Sequence, residues 1–244
     1  MYCNGSLNSD NLPFLTELRR GVLIAVPVMI GYIPFGMLLG AQAAQKEFSA
    51  TALITMTGIN FAGGSEFAAI ALWSLSPPVL TIVLVTLLIN SRHILMGASL
   101  APHLAHLPVR RALPALFFMC DETWALVMAD AAKRQAKGIS PTLTLGFYCG
   151  VSAALWIAWV FSTGLGVMAG PILGDITRWG LDMAFPAVFF VLLRGMWKGF
   201  RAALPWLVSL ICSVATYQLF PGAAYVPAGA ISGLVAILLM SKKA

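Results

Sequence analysis

Charge is what this sequence has least of. Only 10% of its 244 residues are Asp, Glu, Lys or Arg, where a soluble globular domain carries about 25%. With 59% hydrophobic residues and a mean hydropathy of +0.87, the shortage points to an integral membrane protein and away from a soluble domain. The small excess of basic residues, a net charge of +6, reads as orientation signal in short loops and not as a nucleic-acid surface. Cysteine is also sparse. Cys3, Cys120, Cys149 and Cys212 lie far apart with no CxxC spacing, which argues against a disulfide framework or a zinc site. The chain lacks an HExxH motif and a Walker A loop, the marks of a zinc hydrolase and of a nucleotide-driven pump. Ser65 follows a Gly-Gly pair, but Glu66-Phe67 comes next, so there is no Gly-x-Ser-x-Gly elbow. No cofactor, no metal and no enzymatic activity are expected. The first 20 residues are polar, end in Glu17-Leu18-Arg19-Arg20 and have no apolar core of a cleavable leader. They read as a cytoplasmic tail, and residues 21–244 as one polytopic membrane domain.

Apolar sequence is what the chain has in quantity. A spanning helix needs about 20 mostly apolar residues. Gly21–Gln42, Pro78–Leu100, Leu143–Ala169 and Leu181–Gly199 meet that requirement. Phe48–Leu75 is apolar but interrupted at Gly63-Gly64, so it either crosses as a broken helix or dips in and returns. Leu113–Ala132 is apolar but carries Asp121, Glu122 and Asp130, so it either crosses or does not cross at all, while Leu204–Phe220 and Pro227–Met240 are short for full spans. The expected fold is all-α, with about six to eight membrane segments. Basic clusters at Arg19/Arg20, Lys133/Arg134/Lys137, Lys198/Arg201 and Lys242/Lys243 place both termini in the cytoplasm.

An internal repeat emerges at an offset of 159. It pairs Arg19 with Arg178, Gly21 with Gly180, Pro27 with Pro186, Gly36-Met37 with Gly195-Met196, Gly40 with Gly199 and Gly63 with Gly222. The matched Gly and Pro positions mark backbone features, and the halves fall near 19–75 and 178–234. The charge pattern makes the repeat inverted. Inverted repeats with broken helices at corresponding places build the midplane substrate sites of secondary transporters. The Gly63-Gly64 break and the Pro221-Gly222 break are the corresponding pair here.

Polar groups inside apolar segments are the candidate site, because a charge at the bilayer centre costs about 2.5–3.5 kcal/mol on insertion scales. The charged candidates are Glu66, Arg92, His93, Asp121 and Glu122, with Asn60 and Asn90 as neutral partners. A half-helix starting near Gly64-Ser65 would offer free N–H groups to an anion, with Ser65 as N-cap. Glu66 would either join the site or only complement that helix dipole. Arg92 would bind substrate, snorkel, or pair with Asp121 or Glu122. His93 would carry a proton or simply pack. Adjacent acids project about 100° apart on a helix, so Asp121 and Glu122 are expected to face different surroundings. Asp130 reads as an exposed helix end, and His103 and His106 as loop residues. The inventory suits a zwitterion with an apolar side chain.

Three stretches resemble a known family. Ala62-Gly63-Gly64-Ser65-Glu66-Phe67, Asn90-Ser91-Arg92-His93-Ile94-Leu95-Met96-Gly97-Ala98-Ser99-Leu100 and Asp121-Glu122-Thr123-Trp124 are similar to motifs of the AzlC-like large subunits of branched-chain amino-acid exporters. Glu66 stands where that family usually has Gln, and Met96 where it often has Tyr. The resemblance implies an inner-membrane exporter of hydrophobic amino acids working with a small hydrophobic AzlD-like subunit, and it adds Trp124 to the site. A channel, or an exporter of a different small solute, is the competing reading.

Overall fold

The computed structural model describes residues 14–173, 183, 194, 197, 199–220 and 224–241, which form helices and connecting loops without a strand. The first helix, α1 (Phe14–Gln45), is 32 residues long, or about 48 Å at 1.5 Å per residue. It exceeds the ~30 Å apolar core of a bilayer and begins before the expected Gly21, so Glu17 and Arg20 are helical. Seven further elements follow to residue 173: α2 (Ala50–Asn60), α3 (Gly63–Leu72), α4 (Val79–Asn90), α5 (Arg92–Leu104), α6 (Val109–Phe117), α7 (Asp121–Ala136) and α8 (Leu145–Leu173).

The axis of the fold is the parallel pair α1 and α8. Gly146 lies against Phe14, Gly150 against Leu18, Gly166 against Met37 and Gly170 against Ala44, so the register advances in the same direction along both helices. Small residues four apart let two backbones touch where no hydrophobic force drives helices together in lipid.

Two hairpins enter this scaffold from opposite ends. Ser49 caps α2 by accepting from the Ala52 N–H at 3.2 Å. Helix α2 runs antiparallel along α8, with Thr57 Oγ1 3.3 Å from Thr163 Oγ1 and Trp156 Nε1 donating to the Gly58 carbonyl at 2.9 Å. It stops at Phe61, which adopts a left-handed conformation (φ 44°). Helix α3 then turns back. The Phe67 ring is 6.4 Å from Phe35 and the Trp73 ring 4.6 Å from Phe48, so both ends of this hairpin sit at the Gln45 end of α1. Of the two readings open for Phe48–Leu75, the segment dips in and returns.

Helices α4 and α5 continue through Ser91, which keeps helical dihedrals (φ −55°, ψ −25°), and together they make one apolar span from Val79 to Leu104. His103 belongs to this helix, not to a loop, and its Nδ1 lies 2.7 Å from Thr142 Oγ1. The second hairpin, α6 with α7, starts from that same end. Its tip reaches the molecular midpoint, where the Phe118 ring is 5.9 Å from Trp156. Helix α7 runs back until Asp130 meets Arg20. Leu113–Ala132, read from sequence as one apolar segment, is therefore split between two helices. Cys120 is extended (φ −119°, ψ 179°), and the acidic pair behind it favours a fresh helix N-terminus over a continuous helix. Residues 14–136 thus hold a span and a hairpin followed by an oppositely directed span and hairpin. The offset of 159 did not show this inversion.

Where α1, α7 and α8 meet, four charges are bound together. Arg20 Nη1 and Nη2 donate to Asp130 at 2.7 and 2.8 Å, and its Nε and Nη2 donate to Glu17 at 3.1 and 2.8 Å. Glu17 Oε2 also accepts from Arg134 Nη1 at 2.9 Å and Thr144 Oγ1 at 2.7 Å. Asp130 is consequently a paired group with a 12% exposed side chain, not the exposed helix end expected of it. Arg20 reaches it from α1, whose first turns read in sequence as tail.

The last described helices, α9 (Phe200–Leu219) and α10 (Tyr225–Ser241), pack antiparallel through Ser213 Oγ, which donates to the Tyr225 carbonyl at 3.1 Å. At 20 residues α9 is long enough to cross, where Leu204–Phe220 had read as short. The extra turn comes from Phe200–Ala203, begun at Gly199 with φ 104°. Of the expected span Leu181–Gly199 only isolated residues are described. Pro221 and Gly222 lie outside the described residues.

Candidate functional site at the hairpin tips

The first hairpin turns at Ala62, which occupies the N-cap position of α3 and has no side chain to serve as a cap. Glu66 supplies the missing acceptor from within the first turn. Its Oε1 takes the Ala62 N–H at 3.0 Å, and its Oε2 takes the Trp159 indole N–H at 2.7 Å. Ser65, expected as N-cap, lies one turn inside the helix; its hydroxyl donates to the Ala62 carbonyl at 2.9 Å and accepts from Asn60 Nδ2 at 2.8 Å. Asn60 Oδ1 in turn accepts from Asn90 Nδ2 at 3.0 Å. Asn60, Ser65, Glu66 and Asn90 thus form a polar shelf that fixes the tip, with Ser65 and Glu66 fully buried.

Glu66→Gln is expected to disturb this shelf. Both carboxylate oxygens accept hydrogen bonds, and a carboxamide can accept at only one. One buried donor would face an NH₂ group, at about 1–3 kcal/mol. A lowered melting temperature of the purified variant in detergent is the measurement. An unchanged midpoint would mean that the shelf tolerates either group.

The second tip presents Asp121 and Glu122 in the first turn of α7. Asp121 Oδ2 is 2.8 Å from Arg92 Nη1. Glu122 Oε2 accepts the Tyr32 hydroxyl at 2.6 Å. His93 Nδ1 is 3.1 Å from the Asn90 carbonyl, so its ring serves the α4–α5 junction.

Between the tips lies a cavity of about 300 Å³, bounded by both hairpins, mid-α1, the start of α5 and Trp159 of α8. Gly63, Gly64, Arg92, His93, Asp121 and Glu122 all line it. Asp121 and Glu122 face the same space despite their angular separation, because the cavity wraps the end of the helix and not one of its sides. Asn60, Ser65, Glu66 and Asn90 stand behind the lining. Trp124 points into the seam between α5 and α7, where its indole N–H donates to Ser99 Oγ at 2.8 Å.

The sequence reading missed the α1 and α8 contributions. Val28, Gly31, Tyr32, Phe35 and Trp159 line the cavity, as do Phe61, Ala62, Phe67 and Cys120 at the tips. Tyr32 and Trp159 pack edge to face with centroids 5.3 Å apart. Nothing in an apolar span distinguishes a wall of this kind from a lipid-facing surface. The one local signal is Gly31, set between Pro27 and Pro34.

The arrangement gathers two helix N-termini, an arginine and two carboxylates beside aromatic rings at the middle of the molecule. Partial positive charge at the α3 and α7 ends suits an anionic group. Glu122, which has no cationic partner among the described residues, suits a cation.

The chain is similar in sequence to known membrane proteins. The family model described as AzlC protein matches residues 27–173. An uncharacterized membrane protein of Archaeoglobus fulgidus is 30% identical over 74% of this chain and 76% of its own length. The Bacillus subtilis branched-chain amino acid transport protein AzlC is 28% identical, over 90% of this chain and 82% of its own. The inner membrane protein YgaZ of Escherichia coli is 23% identical over 94% and 93%. No solved structure matches the chain. The family match runs from the middle of α1 to the end of α8, through both hairpins and every wall of the cavity, and the chain belongs to the AzlC family.

Proposed function

We propose that this protein is a secondary transporter that exports branched-chain or similar hydrophobic amino acids across the cell inner membrane, driven by protons, and that the cavity between the hairpin tips holds the substrate. The observation that carries this reading is the meeting of two oppositely directed hairpins at one cavity that is charged on one side and aromatic on the other. Broken helices that meet at mid-depth are how transporters build substrate sites, and irregular backbone at that depth is tolerated where it lines a cavity. The name of the Bacillus subtilis relative supports the substrate class. In this reading the substrate carboxylate sits at the Gly63-Gly64 helix start near Arg92, the ammonium at Glu122, and the side chain against Phe35, Phe67 and Trp159.

The end of the molecule with Arg20 and Arg134 is the cytoplasmic one by the positive-inside rule, which puts both termini in the cytoplasm. A small AzlD-like subunit completes the transporter. The repeat halves near 19–75 and 178–234, with the second break at Pro221-Gly222, are a second relation beside the inversion within residues 14–136.

The test is leucine and valine efflux from cells loaded with dipeptides, with and without the co-expressed small subunit. Saturable efflux that collapses with the proton gradient supports the proposal, and loss of efflux in Arg92→Ala with normal membrane insertion supports the site. Non-saturating flux indifferent to the gradient would make the chain a channel. Within the site, Glu122→Gln removes the carboxylate assigned to the ammonium. A charged hydrogen bond contributes about 1.5–3 kcal/mol, so half-saturation should rise by about 10- to 100-fold. An unaltered half-saturation would place the ammonium elsewhere.

A further inference from the structure

Helix α1 contains four glycines, Gly21, Gly31, Gly36 and Gly40, and three have an evident purpose. A Cβ on Gly21 would strike the Phe147 carbonyl, on Gly36 the Ser162 side chain, and on Gly40 the Thr163 carbonyl and the Val167 nitrogen. Those glycines let α8 approach. Gly31 has no such neighbour: a Cβ there would meet nothing within 4 Å. A glycine inside a helix costs roughly 1 kcal/mol relative to alanine, and helix packing gives no return on it at this position.

Gly31 does line the cavity. It falls between Val28 and Phe35, three residues after one and four before the other, which puts all three on a single face of the helix. Val28 and Phe35 also line the cavity. The apolar wall that α1 presents therefore lacks its central side chain. Tyr32, the neighbour on the polar side, is occupied with Glu122, and Phe67 closes on Phe35 from the opposite hairpin.

We propose that Gly31 is the specificity-determining residue of the site: the space left by its missing side chain receives the apolar side chain of the substrate and limits its length. This rests on the amino-acid reading above. The chemistry is steric and selects among unbranched, branched and aromatic side chains with the same zwitterionic head.

Full-length protein in liposomes, with its small subunit if required, tests the assignment by transport of alanine, valine, leucine and phenylalanine. One methylene of misfit in an apolar pocket changes discrimination by about 10- to 200-fold. Gly31→Leu should therefore raise KM for leucine and phenylalanine by at least about tenfold while alanine stays near the wild-type value, with Gly31→Ala in between. An equal fall in kcat for all four substrates would make Gly31 a hinge between Pro27 and Pro34 and overturn the assignment, as would unchanged selectivity. Independently, Gly31→Cys in the intact protein should take one more adduct of a small thiol reagent than the wild type by intact mass, and substrate should suppress it. If the wild type moves no amino acid, the transport reading falls and the size assignment falls with it. If the wild type does move them and Gly31→Cys takes no extra adduct, only the assignment falls.

Discussion

Gly166→Ala is expected to prevent the protein from assembling its two longest helices. A single added carbon on Gly166 would fall on the Met37 carbonyl oxygen and lie 2.6 Å from its Cα. These atoms belong to the backbone of α1, so no rotamer change relieves the contact and the helices must separate. The displacement would pass along the register, since Gly150, Gly170, Gly36 and Gly40 depend on the same approach. In lipid this association rests on packing and not on a hydrophobic drive, so a widened interface retains little attraction. The expected result is loss of a monodisperse peak on size exclusion in detergent, while Gly31→Ala elutes as wild type. A normal peak for Gly166→Ala would show that α8 can shift without cost.

The second large effect is expected at the charge network. Glu17→Leu removes the carboxylate that takes hydrogen bonds from Arg20, Arg134 and Thr144. Arg134 has a 9% exposed side chain and would be left as a buried cation with no partner. Removing one member of a buried ion pair typically destabilises by about 3–5 kcal/mol. The melting temperature should fall sharply, and Glu17→Leu with Arg134→Met should recover part of the loss, since replacing both partners with apolar groups is often neutral. Asp130→Asn is expected to do less, because Arg20 retains Glu17. Equal losses in the double and single variants would mean that the damage is steric.

How much of this was legible in the sequence depended on chemical contrast. The Gly-Gly pair and Glu66 stand out against apolar neighbours and lie in the first turn of α3, just past the Phe61-Ala62 turn of the first hairpin. Arg92, Asp121 and Glu122 stand out in the same way, and a pairing of Arg92 with Asp121 is among the expectations that their charges raise. Whether Phe48–Leu75 crosses or returns was not legible, because eleven and ten residues of helix add up to about one span in either case. The second hairpin was hidden for another reason: its acids read as neighbours about 100° apart within one helix, when they mark where a new helix begins. The α1 and α8 walls were invisible, since Tyr32, Phe35 and Trp159 have the composition of any membrane helix. Asp130 was misplaced because its partner, Arg20, is 110 residues away.

The opposed hairpins have a consequence for how the molecule can open. Each is anchored at a single face, α2–α3 at the Gln45 end and α6–α7 at the Arg20 end, and the cavity lies between their tips. The chain between the cavity and either face is thus a separate hairpin, whose tip is also bonded to the scaffold, the first through Asn60–Asn90 and Glu66–Trp159 and the second through Glu122–Tyr32 and Asp121–Arg92. In the transporter proposed above, one hairpin would release its tip bonds while the other keeps them, as in a canal lock whose two gates share a chamber but not a hinge.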